Sequence, residues 1–173
     1  MSTLKVDTVQ TTGGVTLISD PEANYVIEQW RLTANESSND AVVDNWERVD
    51  DATSSSINAG MTVSSGVFTF PSTGLWLVTV HLGIYLDSDG SAGAYLQASS
   101  NSGSAYDSLG LIYEGGDSAA NQSGAMACLI NVTNASTFRF RLESDSFSSG
   151  SMIRGDTDVT RSSIIFERKG PSQ

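Results

Sequence analysis

Gly66 to Gly90 reads GVFTFPSTGLWLVTVHLGIYLDSDG, and from Trp76 its even positions Trp76, Val78, Val80, Leu82, Ile84 and Leu86 are apolar without a break. Successive side chains of a β-strand point to opposite faces, so this alternation predicts a long strand over 74–87 with one buried side. Pro71 cannot donate a ladder hydrogen bond, and the surrounding Phe-Pro-Ser-Thr-Gly reads as a corner where the chain changes sheets. The even face is expected to pack on the opposite sheet of a sandwich. The odd face carries Leu75, Leu77, Thr79, His81 and Tyr85, too apolar for a surface simply bathed in water. Such a face predicts contact with another subunit.

Outward from this strand the pattern is strand, turn, strand. Strands are predicted at 25–32, 41–48, 66–70, 93–99, 108–113, 123–132, 136–143 and 160–168. Phe138, Phe140 and Leu142 alternate with Arg139, Arg141 and Glu143, the signature of an antiparallel strand wet on one side. Val26, Ile27 and Trp30 would also suit a short helix, but their β-rich surroundings favour a strand. Ser, Thr, Gly and Asn crowd the intervals, and many short strands with regular turn signals predict an all-β, antiparallel sandwich or barrel. At 173 residues the chain suits one domain with a core.

Residues 1–23 differ from the rest. Leu4, Val6 and Val9 alternate ahead of a Thr-Thr-Gly-Gly turn, and Val15-Thr-Leu-Ile follows before Pro21. An isolated hairpin is marginal in water, so this piece is expected to be an extended arm that docks on partner chains or a larger assembly. The domain reading is an arm at 1–23, a head at 24–169 and a tail at 170–173.

Nine basic against 20 acidic residues give a net charge of −11. That charge repels phosphate backbones, so nucleic acid is not an expected partner. The opening residues carry no apolar signal segment, and GLWLVTVHLGIYL is too short and too polar on its odd face to span a bilayer. No membrane insertion is expected, and the protein is expected to be made in a cytoplasm. The sequons at Asn35, Asn121, Asn131 and Asn134 then carry no weight.

Reactive chemistry is sparse. His81 is the one histidine, placed mid-strand on the odd face, where a packing role is expected. Cys128 sits between Met126 and Ile130 on one strand face and reads as a small buried hydrophobe. The carboxylates fall mainly in turns, and no pair announces acid–base work, so an enzyme is not expected. Three acidic turns could hold Ca²⁺: Asp87-Ser-Asp89, Glu114-Gly-Gly-Asp117 and Asp156-Thr-Asp158. Hard cations want several loop oxygens, though none of these turns has EF-hand spacing. No other cofactor is expected. Arg154-Gly-Asp156 spells an adhesion tripeptide, a match that three residues reach readily by chance. Tyr85, Tyr106, Tyr113 and Phe147 could stack on sugar rings if they gather at one tip.

Two resemblances sharpen this reading. Asn45-Trp-Glu-Arg-Val, a Gly-rich connection and then Gly66–Trp76 resemble the segment of complement C1q-like heads in which Gly-x-Phe-x-x-Pro-x-x-Gly-aromatic joins two jelly-roll strands. Residues 125–132, 137–143 and the terminal Ile165-Phe166 are similar in order to that family's C-terminal half. The resemblance implies a C1q/TNF-like jelly roll over roughly 25–169, assembled as a homotrimer, with Leu75, Leu77, His81 and Tyr85 at the threefold interface. Ser2–Thr12, STLKVDTVQTT, is similar to the openings of structural proteins of tailed bacteriophages. This implies a non-enzymatic virion protein of the particle surface: a trimeric fibre knob that binds a host surface glycan or protein, anchored to other virion proteins by Leu4, Val6 and Val9. The alternative is a capsid decoration protein that stabilises the phage head.

Overall fold

The structure, a computed structural model, describes residues 25–116, 119–148 and 150–173, together with the backbone of 9–10 and 16–18. β1 (Val9–Gln10) and β2 (Thr16–Ile18) pair antiparallel as a two-stranded sheet. Leu4 and Val6 of the expected arm lie outside the described residues.

The remaining strands form two antiparallel sheets. β3 (Ile27–Leu32), β4 (Trp46–Arg48), β7 (Gly74–Leu86), β10 (Ala120–Val132) and β13 (Ser163–Gly170) make one, in the order β10-β7-β13-β3-β4. β12 (Met152–Ile153) adds to β7 beyond the end of β13. The other sheet takes β5 (Thr62–Ser64), β6 (Val67–Thr69), β8 (Ser91–Ser99), β9 (Asp107–Gly115) and β11 (Arg139–Asp145), in the order β5-β6-β11-β8-β9.

The corner at Pro71 carries the chain from β6 in the second sheet to β7 in the first, as its missing donor predicts. Every even position of β7 from Trp76 to Leu86 is fully buried, against Leu96, Phe140 and Leu142 of the facing sheet among others. The centre is aromatic. Phe166 on β13 meets Phe68 at 5.0 Å and Phe140 at 5.8 Å between ring centroids, and Phe70 meets Trp76 at 5.3 Å. Such offset and edge-on pairs add to the area that each ring buries.

One acid lies inside. Glu28 follows Val26 and precedes Trp30 on the core face of β3, and it is fully buried. Its Oε1 accepts the Gly60 and Met61 amides at 2.9 and 2.7 Å, and its Oε2 accepts Trp30 Nε1 at 3.2 Å and Arg48 Nε at 3.0 Å. The Arg48 guanidinium lies over the Trp30 ring, 4.7 Å from its centroid. One carboxylate thus ties the loop before β5 to β3 and β4, with no lone pair left to face the core unpaired.

Two strands escape the sequence reading. β5 joins β6 through Ser65 and Gly66, both at positive φ (47° and 74°), a two-residue turn of the primed kind that matches strand twist. β12 is two residues long and shows no periodicity at all. The strand predicted at 41–48 shortens to Trp46–Arg48, because Val42 instead bridges to Glu143 of the other sheet.

Candidate functional site

The odd positions of β7 face away from the sandwich, and the ladder brings more apolar side chains beside them. Leu77 stands opposite Leu129 of β10 and Glu167 of β13, and Thr79 opposite Ala127 and Ile165. His81 lies between Ala125 and Ser163. Leu129 is 61% exposed and Leu75, Leu77 and Tyr85 are half-buried, so Leu75, Leu77, His81 and Tyr85 do share one open face. The sequence reading missed Leu129 and Ile165, whose membership follows from strand register rather than local pattern.

β10 deepens the case. It is the edge of its sheet, 13 residues long, and holds neither a charge nor a proline. Long uncharged edges invite pairing or packing, and proteins ordinarily blunt them with lysine or proline. β10 has neither. Leu109 and Leu111 of β9, the edge of the second sheet, are also exposed.

Toward β4 the same face turns ionic. Arg31 is 4% exposed and reaches Glu47 at 2.6 Å, Asp50 at 2.7 Å and Asp51 at 2.8 Å. The hydrogen bond to Glu47, with the charges of Asp51 and Asp50, holds the guanidinium above its ordinary pKa. The cluster carries two uncompensated negative charges and fastens the loop after β4 over β3.

No catalytic constellation forms among the described residues. His81 opens outward from β7, whereas Cys128 packs toward the core from the neighbouring strand, where burial pushes its thiol up to about 11. Desolvation disfavours the thiolate, the form that would act as nucleophile.

The acidic turns are tied to separate neighbours. Asp89 accepts the Ser148 amide at 2.9 Å and the Ser148 hydroxyl, and these bonds, with the Ser151 hydroxyl, hold its carboxyl below the usual range. Asp156 accepts the Asp158 and Val159 amides and Arg161 Nε, and lies low for the same kind of reason. Asp87 sits beside Gly150. Among the described residues no three of His, Cys, Asp and Glu converge as a metal site would require. Asp117 of the turn that begins at Glu114 lies outside the described residues.

The adhesion tripeptide is likewise occupied: Arg154 donates to Asn121 Oδ1 at 2.6 Å while Asp156 holds its own turn. Of the four aromatic candidates, Phe147 is buried, Tyr85 lies on β7, and Tyr113 on β9 bonds the Ser146 hydroxyl, while Tyr106, just before β9, has the Arg141 guanidinium 3.9 Å from its ring centroid.

Two sheets in the orders β10-β7-β13-β3-β4 and β5-β6-β11-β8-β9 define a jelly roll of the TNF and C1q type. Solved structures agree. A TNF of S. frugiperda, Eiger, superposes with a TM-score of 0.65 at 16% identity, covering 87% of this chain and 96% of that one. Murine APRIL at pH 5.0 gives 0.63 at 11% identity, covering 83% and 98%. The globular domain of zebrafish complement 1qA gives 0.52 at 13% identity, covering 82% and 93%. No family model and no curated protein matches the sequence.

Proposed function

We propose that this protein is a non-enzymatic homotrimer of TNF/C1q-like jelly rolls carried on the surface of a bacteriophage particle, where its head attaches to a host surface. The observation that carries the assembly is the open apolar face of the β7 sheet, continuous from Leu75 and Leu77 to Leu129 and Ile165 beside an uncharged edge strand. A patch of this kind on a folded domain marks association. The trimeric stoichiometry comes from the family resemblance, and the phage setting from the likeness of Ser2–Thr12 to phage structural proteins. Residues 1–23 serve in this reading as the arm that grips other virion proteins, and residues 24–169 as the exposed head.

Two experiments test it. Leu77→Glu puts a like charge on each subunit in a face that must lose water on assembly, at a position half-exposed in the single chain. The variant should fold and sediment as a monomer, and a stable trimer would refute the interface. Gold-labelled antibody against the head should mark the tips of tail structures on intact particles. Label spread over the capsid would instead establish the decoration reading, and particles without label would remove the virion assignment.

A further inference from the structure

At the Tyr85 end of β7 the open face runs past its apolar patch into a cleft of about 290 Å³ lined by Asn35, Tyr85, Asn121, Met152 and Arg154, so Tyr85, expected from the sequence at the threefold interface, lines this cleft instead. Four separate segments build it. Ile153 exchanges backbone hydrogen bonds with Glu36, and β12 pairs Met152 with Tyr85, which also faces Asn121 on β10. Gly155 lets the segment 34–36 come close, since a Cβ there would stand 2.3 Å from the Ala34 carbonyl oxygen.

The polar chemistry of the lining is one-sided. Asn121 Oδ1 accepts from Arg154 Nη1 at 2.6 Å, and Asn35 Oδ1 accepts from the Gly155 amide at 2.9 Å. Both amide oxygens are occupied by protein donors, which fixes the amides and leaves each with N–H groups to offer. Neither Asn Nδ2, nor Arg154 Nε or Nη2, nor the Tyr85 hydroxyl donates to another described residue. The lining contains no carboxylate. Of the acids in the neighbouring segments, Glu36 accepts the Ser38 amide, Asp156 holds its own turn and Arg161, and Asp87 lies beside Gly150.

We propose that this cleft binds a pyranose carboxylate, an acidic sugar residue of a surface polysaccharide. Arg154 meets the carboxylate in a charge-assisted pair, Asn35 and Asn121 add donors, and the Tyr85 ring with Met152 offers an apolar wall to the C–H face of the ring. Its volume of about 290 Å³ lies just below the ~300–1,000 Å³ of ligand sites, room for one monosaccharide and no more. The net charge of −11 does not forbid an anion, because at 0.15 M salt charges more than about 8 Å away are largely screened. The inference deepens the attachment reading and rests on it for the source of the sugar, whereas the cleft is made by one chain.

Saturation-transfer NMR on the full chain tests this with three probes: methyl β-glucuronide, its neutral counterpart methyl β-glucoside, and acetate. The glucuronide should bind in the millimolar range, with the glucoside and acetate each about tenfold weaker, as expected when one charge-assisted contact or the ring contact is lost. Arg154→Gln should weaken the glucuronide by a similar factor. Asn121→Asp, on an exposed edge position, should abolish binding by engaging Arg154 internally. A glucoside or acetate that binds as tightly as the glucuronide overturns the proposal, as does unchanged binding by either variant. Light scattering on the same samples separates the two readings: a trimer that ignores the glucuronide overturns this site alone, and a monomer that binds it overturns the assembly alone.

Discussion

Replacing Glu28 should be the most damaging single change in the head. Its carboxylate is fully buried and accepts four hydrogen bonds, two from the Gly60 and Met61 amides and two from Trp30 and Arg48. Glu28→Ala strands these donors, of which the Met61 amide is buried while Arg48 remains 39% exposed and can turn to water. Removing one partner of a buried ion pair costs ~3–5 kcal/mol, and each buried donor left unpaired costs ~1–3 kcal/mol. Partial rehydration through Arg48 places the net loss at about 4 kcal/mol. For a domain of this size that corresponds to a fall in Tm of about 8–16 °C, at ~2–4 °C per kcal/mol. Glu28→Gln keeps the volume and one acceptor oxygen, but sets its NH₂ against one pair of donors, so about 2 kcal/mol should be lost. Thermal unfolding followed by circular dichroism at one fixed protein concentration reads both, since assembly makes Tm depend on concentration. A Glu28→Ala protein within about 1 kcal/mol of the parent would refute the claim that this carboxylate organises the loop before β5.

Three further outcomes are expected. Asp89, whose folded pKa is depressed from 3.8 mainly by the Ser148 hydroxyl, adds stability that is present above pH 3.8 and lost as pH falls below it. Asp89→Asn should therefore lower Tm at pH 7 and reduce the difference in Tm between pH 7 and pH 3, and a variant with the parent's acid profile would contradict this. Cys128, with its thiol moved from 9.0 to about 11 by burial, should react with iodoacetamide at pH 8 about a hundredfold more slowly than the unfolded chain; equal rates would show that the thiol is not desolvated. Gly93→Ala would set a Cβ 1.8 Å from the Ile112 carbonyl oxygen, which should break the β8–β9 pairing locally and cost about 3 kcal/mol or more by denaturant unfolding. A neutral Gly93→Ala would mean that β9 does not lie against β8 as described.

The long elements were legible because their burial is one-sided and their length exceeds any accident of composition. β7 and β11 show their period over 13 and seven residues, and the Pro71 corner follows from a missing donor. β5 and β12 were not, because two or three residues cannot display a period. For β5 a signal did exist in Ser65-Gly66, the dipeptide of its hairpin turn. For β12 there was none, since its pairing is set by β7 from 67 to 69 residues away in sequence at Tyr85 and Ile84. The association face was half legible: alternation marks Leu75, Leu77, His81 and Tyr85, while Leu129 and Ile165 join only through register. Glu28 was visible in principle as an acid within the apolar series Val26, Trp30 and Leu32. The cleft was not, because Asn35, Asn121 and Arg154 are ordinary polar residues until three segments bring them together.

The central claim is that the apolar part of the open face of the β7 sheet, from Leu75 and Leu77 to Leu129 and Ile165, is an interface between copies of this chain. Its most direct test is the native mass in solution, by light scattering coupled to size exclusion, on the full chain and on a chain beginning at Asn24. The account predicts three times the mass of one chain in both samples, the full chain weighing 18.3 kDa. A mass of one chain in both, with the sandwich intact by circular dichroism, would contradict it.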